Sequence, residues 1–261
     1  MRAGRQCRAG PAATAPGHNA RMTDAPLLTA VDDGVMTITL HRPQKLNAID
    51  NPLAEALLGA VEAAGRDDAV RAVRVRGEGR AFCAGRDVGA PPTERDLTLV
   101  QAVATALVRL DKPVLFAVHG WTLGAGLEWM LDADIVIAAS NARFRLPEAS
   151  LGVFVTGGLS ATLAACAGVA RAKALVLLGE AFGADEAQAW GLVWRVVAPE
   201  ALDDASMQMA RQLAALAPDV ARQFKRVFHE VGLAHFDAAI ARENAAHAAL
   251  ASPMDQGGGR A

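Results

Sequence analysis

The chain has 261 residues, 52% of them hydrophobic, and a mean hydropathy of +0.20, which is enough apolar material for one large buried core or two small ones. A formal net charge of −2, a pI near 6.3 and only four lysines (Lys45, Lys112, Lys173, Lys225) exclude an overall basic field of the kind that gathers nucleic acid or an anionic membrane surface. Cys7, Cys83 and Cys166 are widely spaced, so neither a disulfide framework nor a zinc site is suggested, and no apolar run reaches the roughly 18 residues of a membrane span. These features fit a soluble protein of a reducing cytoplasm.

Residues 1–26 are rich in Arg, Ala, Gly and Pro, carry no acid before Asp24 and lack apolar periodicity, so they are expected to lie outside the fold. They read either as an organelle transit peptide or as a disordered or mis-started tail, with Met22-Thr23-Asp24 as a natural beginning. Leu27 to Leu40 reads as a β-hairpin turning at Asp33-Gly34. An Ala/Leu-rich helix is predicted from about Pro52 to Ala64, then a strand at Val70 to Val75, a Gly-rich loop at Gly77 to Gly89 and a helix over Leu97 to Leu110. A strand over Pro113 to Val118 leads to a helix starting near Gly124-Ala125. The strand Ile135 to Ala139 follows, then a loop carrying Pro147-Glu148.

Strands alternating with helices indicate an α/β core of βαβ crossovers over residues 27–200. Beyond Gly157 the pattern turns helical, over Leu159 to Leu178, Ala201 to Leu216 and Pro218 to His247, with Val193 to Val197 as a strand. Residues 201–261 therefore read as a helical region, and its broad apolar faces point to oligomerisation.

Three segments carry chemistry. In Gly79 to Asp87 the small residues Ala81, Cys83, Ala84 and Gly85 let a ligand approach backbone N–H groups, although an ordinary close-packed loop has the same composition. In Ala117 to Glu128 an apolar strand runs into a helix opened by Gly124, Ala125 and Gly126, whose free N–H groups suit developing negative charge. Glu128 falls in its first turn, where a carboxylate equally complements the helix dipole. Arg145 to Gly152 supplies a second glutamate, Glu148, and two carboxylates facing one substrate suit general acid/base work.

Together these segments, with the opening Arg42-Pro43-Gln44-Lys45-Leu46-Asn47-Ala48, resemble the crotonase, or enoyl-CoA hydratase/isomerase, superfamily from about Leu27 to Leu250. The resemblance implies a ββα spiral core and an oxyanion hole made by the backbone N–H groups of Cys83 and Ala125. It also implies catalysis by Glu128 and Glu148, adding water to a 2-enoyl-CoA to give a 3-hydroxyacyl-CoA. The acyl-CoA thioester would lie against Ala81, Ala84, Gly85 and Arg86, with Arg86 and Lys45 as possible phosphate partners. No cofactor is implied beyond the CoA of the substrate, and a homotrimer or dimer of trimers is expected.

Three departures qualify the match. The family's Pro-Gly-x-Gly-Gly turn aligns with Val155-Thr156-Gly157-Gly158-Leu159, which puts Thr156 where a glycine amide usually helps seat the water. Family members often continue past Ser252-Pro253 with a further helix, whereas this sequence runs into Gly257 to Ala261. Tyrosine is absent, which excludes variants that need its hydroxyl. Double-bond isomerisation through one carboxylate is the nearest alternative. An RNA-binding role through Arg222, Lys225 and Arg226, or a non-catalytic subunit, belongs to a different class.

Overall fold

The computed structural model describes residues 25–89 and 93–251. Strand β1 (Leu27–Asp32) pairs antiparallel with β2 (Val35–Leu40), and both turn residues, Asp33 and Gly34, have positive φ (46° and 76°), as a tight two-residue hairpin requires. The expected tail boundary is slightly late, because the Pro26 carbonyl already accepts the His41 amide at 2.8 Å. Helix α1 (Asn51–Arg66) is capped by Asp50, whose side chain accepts the Leu53 amide. It leads to β3 (Ala72–Gly77), two residues later than the hydrophobic run suggested. A capping box of Thr93 and Asp96 starts α2 (Glu94–Arg109), and β4 (Val114–Val118) follows.

The chain then makes β5 (Trp121–Leu123), α3 (Ala125–Leu131), β6 (Ile135–Ala139), β7 (Arg143–Arg145), α4 (Glu148–Leu151), α5 (Leu159–Ala167) and α6 (Val169–Leu178). It continues through β8 (Phe182–Gly183), α7 (Ala184–Ala189), β9 (Arg195–Val197), α8 (Leu202–Ala214), α9 (Pro218–Gly232) and α10 (Phe236–Ala251). Two long helices expected from sequence are each broken: one at Gly168, with φ of 76°, and one between Gly232 and Phe236.

The main sheet has the order β1-β2-β3-β4-β6-β9 and is parallel apart from the first hairpin. Both faces are covered, which is why β4 is apolar at every position. Val114, Phe116 and Val118 join the large core beneath α1, α2 and α3, while Leu115 and Ala117 meet Leu202 and Met209 of α8. A second, three-stranded sheet, β5-β7-β8, stands beside the start of α3. This is an α/β fold with mixed sheets and C-terminal helices.

Buried cations fix the helical region to the sheet. Arg74 of β3 donates to Asp203 Oδ1 at 2.9 Å and to Ser206 Oγ at 3.1 Å, holding α8. Lys225 of α9 donates to the Leu107 and Lys112 carbonyls and to Asp134 Oδ2 at 2.9 Å. Arg222 and Arg226 pair with Asp219 and Glu230, so these three residues do not form a free basic surface.

Candidate active site

The loop Arg42 to Ala48 is the frame on which the Gly-rich loop rests. Leu46 and Asn47 both adopt left-handed φ (53° and 54°), which turns the fully buried Asn47 side chain inward. Its amide nitrogen reaches the carbonyls of Glu78, Ala81 and Phe82 at 2.9–3.0 Å, and its oxygen accepts the Arg42 amide at 2.8 Å. Arg42 in turn pairs with Asp50 at 2.8 Å and reaches Asp87 at 3.5 Å. The sequence pointed to this loop only as part of the resemblance. Its mechanical role follows from the two N–H donors of Asn47 being shared among three carbonyls of a loop that has no ladder of its own.

The Gly-rich loop passes between that frame and the start of α3. Isolated bridges join Cys83 to Thr122 and Ile49 to Arg86. A Cβ on Gly85, where φ is 79°, would stand 2.8 Å from the Leu123 carbonyl oxygen and 3.7 Å from the Ala125 nitrogen. One on Gly126 would stand 2.7 Å from Cys83 Sγ. Glycine at both places lets the loop and the helix start come together.

The expected donor at Cys83 is corrected here. The Cys83 amide donates to the Trp121 carbonyl at 3.1 Å and the Ala84 amide to the Leu46 carbonyl at 2.9 Å, so both amides are committed to holding the loop. The Cys83 thiol is fully buried and pushed up to about 12 by that burial, which leaves a neutral packing group rather than a nucleophile. Ala125 opens α3, where the first amides lack helical acceptors.

Glu128 and Glu148 come together although they sit on different elements. Glu128 lies one helical turn after Gly124, and its own amide donates to the Gly124 carbonyl at 3.0 Å. Glu148 opens the short helix α4, not a loop as expected, and a Cβ on Gly124 would lie only 2.6 Å from Glu148 Oε1. Both glutamates are buried, at 2% and 7% exposure. Glu128 Oε1 accepts the Thr156 amide at 2.9 Å, while Oε2 of each glutamate is buried without a hydrogen-bond donor among the described residues.

Burial, and then the neighbouring Glu148 charge, holds Glu128 well above the usual carboxylate range. Burial pushes Glu148 up to about 7. The two titrate as a pair, and a pair so placed retains a proton at neutral pH.

Thr156, where the sequence departs from the family turn, still presents its amide to Glu128. Its hydroxyl accepts from Gln101 at 2.9 Å and so turns away from a free position. His119 Nε2 lies 2.8 Å from the Gly79 carbonyl, and Trp129, 1% exposed, donates its indole N–H to the Val100 carbonyl. Phe154 is 38% exposed and stands edge-on to His247. Lys45 is exposed on the turn after β2, and the Arg86 guanidinium lies 3.8 Å from Asp96. Among the described residues no group of three or more His, Cys, Asp or Glu is placed to hold a metal ion, and no helix is long and apolar enough to cross a membrane.

A Gly124→Ala substitution is expected to displace Glu148, because the methyl meets its carboxylate and φ at Gly124 is 45°. Turnover by Gly124→Ala, compared with the fold monitored by circular dichroism, would separate this local effect from unfolding. Unchanged turnover would mean that Glu148 need not sit where it does.

A crotonase fold that brings two buried glutamates beside a backbone cleft defines the class of this protein. The chain belongs to the enoyl-CoA hydratase/isomerase family, whose model matches residues 30–256. Among its relatives, 1,2-epoxyphenylacetyl-CoA isomerase of Escherichia coli K12 is 39% identical over 198 residues, covering 72% of this chain and 76% of that protein. The 2,3-dehydroadipyl-CoA hydratase of the same strain is 34% identical over 238 residues, covering 88% and 92%. The crystal structure of an enoyl-CoA hydratase from Mycobacterium avium subsp. paratuberculosis K-10 superimposes with a TM-score of 0.84 at 31% identity, covering 88% of this chain and 95% of that one. This is therefore a crotonase-family acyl-CoA enzyme, from a family that holds both hydratases and isomerases among its relatives.

Proposed function

We propose that the protein is an enoyl-CoA hydratase, adding water across the C2=C3 bond of a 2-enoyl-CoA to give a 3-hydroxyacyl-CoA. The observation that carries this reading is the pair of buried glutamates, each with one oxygen left without a protein donor. Those two oxygens are suited to accept the two hydrogens of one water. One carboxylate takes a proton as the water oxygen bonds to C3, and a proton returns to C2 as the thioester enolate collapses.

The enolate oxygen needs two donors. Ala125 supplies one. For the other we assign Arg86 in place of Cys83: in the Ile49–Arg86 bridge the Gly85 carbonyl and the Asp87 amide face Ile49, which turns the Arg86 amide to the opposite side. Gly85, the residue before it, abuts the Ala125 amide. Two such donors typically contribute about 3–4 kcal/mol each to the transition state. CoA would lie against Ala81, Ala84 and Gly85, with Lys45 near its phosphates.

Double-bond isomerisation is the second reading, supported by a 33% identical relative, the trans-2-decenoyl-[acyl-carrier-protein] isomerase of Streptococcus mutans. It needs one carboxylate to move one proton between two carbons, whereas the retention of two buried carboxyls supports hydration. The exposed Phe224, Val227, Phe228 and Val231 on α9 support assembly into a trimer or dimer of trimers.

Incubation with crotonyl-CoA, following the loss of the conjugated thioester absorbance, tests the proposal. Loss of absorbance with formation of 3-hydroxybutyryl-CoA is expected. Binding of the thioester without water addition, together with interconversion of 3-enoyl and 2-enoyl thioesters, would replace hydration with isomerisation.

A further inference from the structure

The amide that Glu128 receives comes from the segment Phe154 to Ser160, and that segment is held from outside the core by α10. Phe236, Glu243 and His247 lie on one face of this helix, at helical spacing. The Phe236 ring packs so closely on Gly158 that a Cβ there, at a φ of 82°, would stand 2.3 Å from it. His247 meets the Phe154 ring edge-on, with centroids 6.3 Å apart.

Between these two contacts sits Glu243, 1% exposed and fully partnered. Its Oε2 accepts the Gly158 amide at 2.8 Å, and its Oε1 accepts the Ser160 amide at 2.8 Å and the Ser160 hydroxyl at 2.6 Å. A buried carboxylate satisfied by three donors is a strong, directional anchor.

We infer that Glu243 is a positioning residue for the catalytic pair, fixing the turn that presents the Thr156 amide to Glu128. The connection is short. Thr156 and Gly158 are two residues apart, and the Leu159 amide closes their turn on the Thr156 carbonyl at 3.1 Å. The Gly157 between them leaves room beside Glu128, since a Cβ there would lie 3.6 Å from Oε2. A second anchor comes from the next residue of α10, where Asn244 pairs with the Gln101 amide that holds the Thr156 hydroxyl.

Glu243 and Asn244 thus grip the turn from inside and from the surface. This gives the C-terminal helix a part in placing Glu128 without touching substrate. Thr156, the departure from the family glycine, supplies the hydroxyl that the second grip uses. The inference rests on the proposed role of Glu128, but the position of its amide donor can be read independently of turnover.

The test compares wild type with Glu243→Gln, whose NH2 would face donors in place of an acceptor, and with Ser160→Ala, which removes only the hydroxyl donor. Hydrogen exchange of peptides covering residues 154–160 is measured beside kcat and KM for crotonyl-CoA. Exchange at the Thr156 amide is expected to rise about tenfold in Glu243→Gln, and kcat to fall about tenfold with KM held within about twofold. Ser160→Ala should move both in the same direction by less.

Unchanged exchange in a folded Glu243→Gln overturns the inference, as does faster exchange with unchanged kcat. Should Glu243→Gln fail to fold, Ser160→Ala decides on the same criteria. If wild type does not hydrate crotonyl-CoA, the hydratase reading fails alone, because the exchange arm still reports whether Glu243 places the Thr156 amide.

Discussion

Replacement of either Glu128 or Glu148 by glutamine is expected to lower kcat for crotonyl-CoA hydration by about 10²–10⁴-fold, or ~3–5 kcal/mol of barrier. Glutamine keeps the size and one acceptor oxygen of each side chain, so the thioester should still bind and KM should change far less. The reason is that the reaction needs both a proton acceptor and a proton source at the same water. The pH profile separates the two roles. Burial raises Glu148 to about 7, so the singly protonated pair forms as pH rises through that value. In wild type kcat is expected to climb up to about pH 7 and then flatten, until the proton on the pair is also lost at higher pH. In Glu148→Gln the rising limb should vanish from that range, because the group that titrates there is gone. A profile unchanged in both variants, or a fall of less than threefold in kcat, would remove the pair from the chemistry.

Much of the fold was legible because hydrophobic period and turn chemistry agreed. The hairpin at Asp33-Gly34 and strands β4 and β6 were read within a residue or two. The second sheet was not, since β5, β7 and β8 are only two or three residues long and too short to show a period. The breaks between α5 and α6 and between α9 and α10 escaped for a different reason. Gly168 and Gly232 stand in apolar, Ala-rich sequence that supports helix on both sides, and only tertiary packing decides where the chain turns. At the site, the two glutamates were visible as residue types, yet their meeting depends on Gly124, which no spacing rule joins to Glu148. The assignment of Cys83 failed because the fate of its amide is set by a hydrogen bond to the Trp121 carbonyl, far along the chain. Asn47 was visible only as a member of the resembled Arg42 to Ala48 segment, with no role assigned to it, and Glu243 was missed altogether. Each is a polar residue whose importance lies in the backbone groups it satisfies across the fold.

Asp132→Ala is expected to stabilise the protein by about 1–3 kcal/mol at neutral pH, an uncommon outcome for a change in a buried position. Asp132 ends α3 one turn beyond Glu128, is 2% exposed, and has neither carboxylate oxygen hydrogen-bonded among the described residues. Burial, and then the Glu243 charge, holds its carboxyl well above the usual carboxylate range. The sign follows from linkage. Unfolded, the group ionises near pH 4, while folded it resists ionisation. As pH rises above about 4 the unfolded chain therefore gains stability that the folded chain does not, and folding weakens until the buried group itself ionises. Alanine removes both the resisted ionisation and the unpaired polar atoms, so its benefit should be small at pH 4 and grow toward pH 8. Urea unfolding of wild type and Asp132→Ala at the two pH values measures this directly. A benefit independent of pH would mean that Asp132 ionises in the folded protein as readily as in the unfolded chain, and a loss of stability would mean that the carboxyl is paired. If the benefit is present, its persistence in this chain calls for a functional reason. A buried acid retained against stability, one helical turn beyond Glu128, is the trade expected where activity constrains the fold.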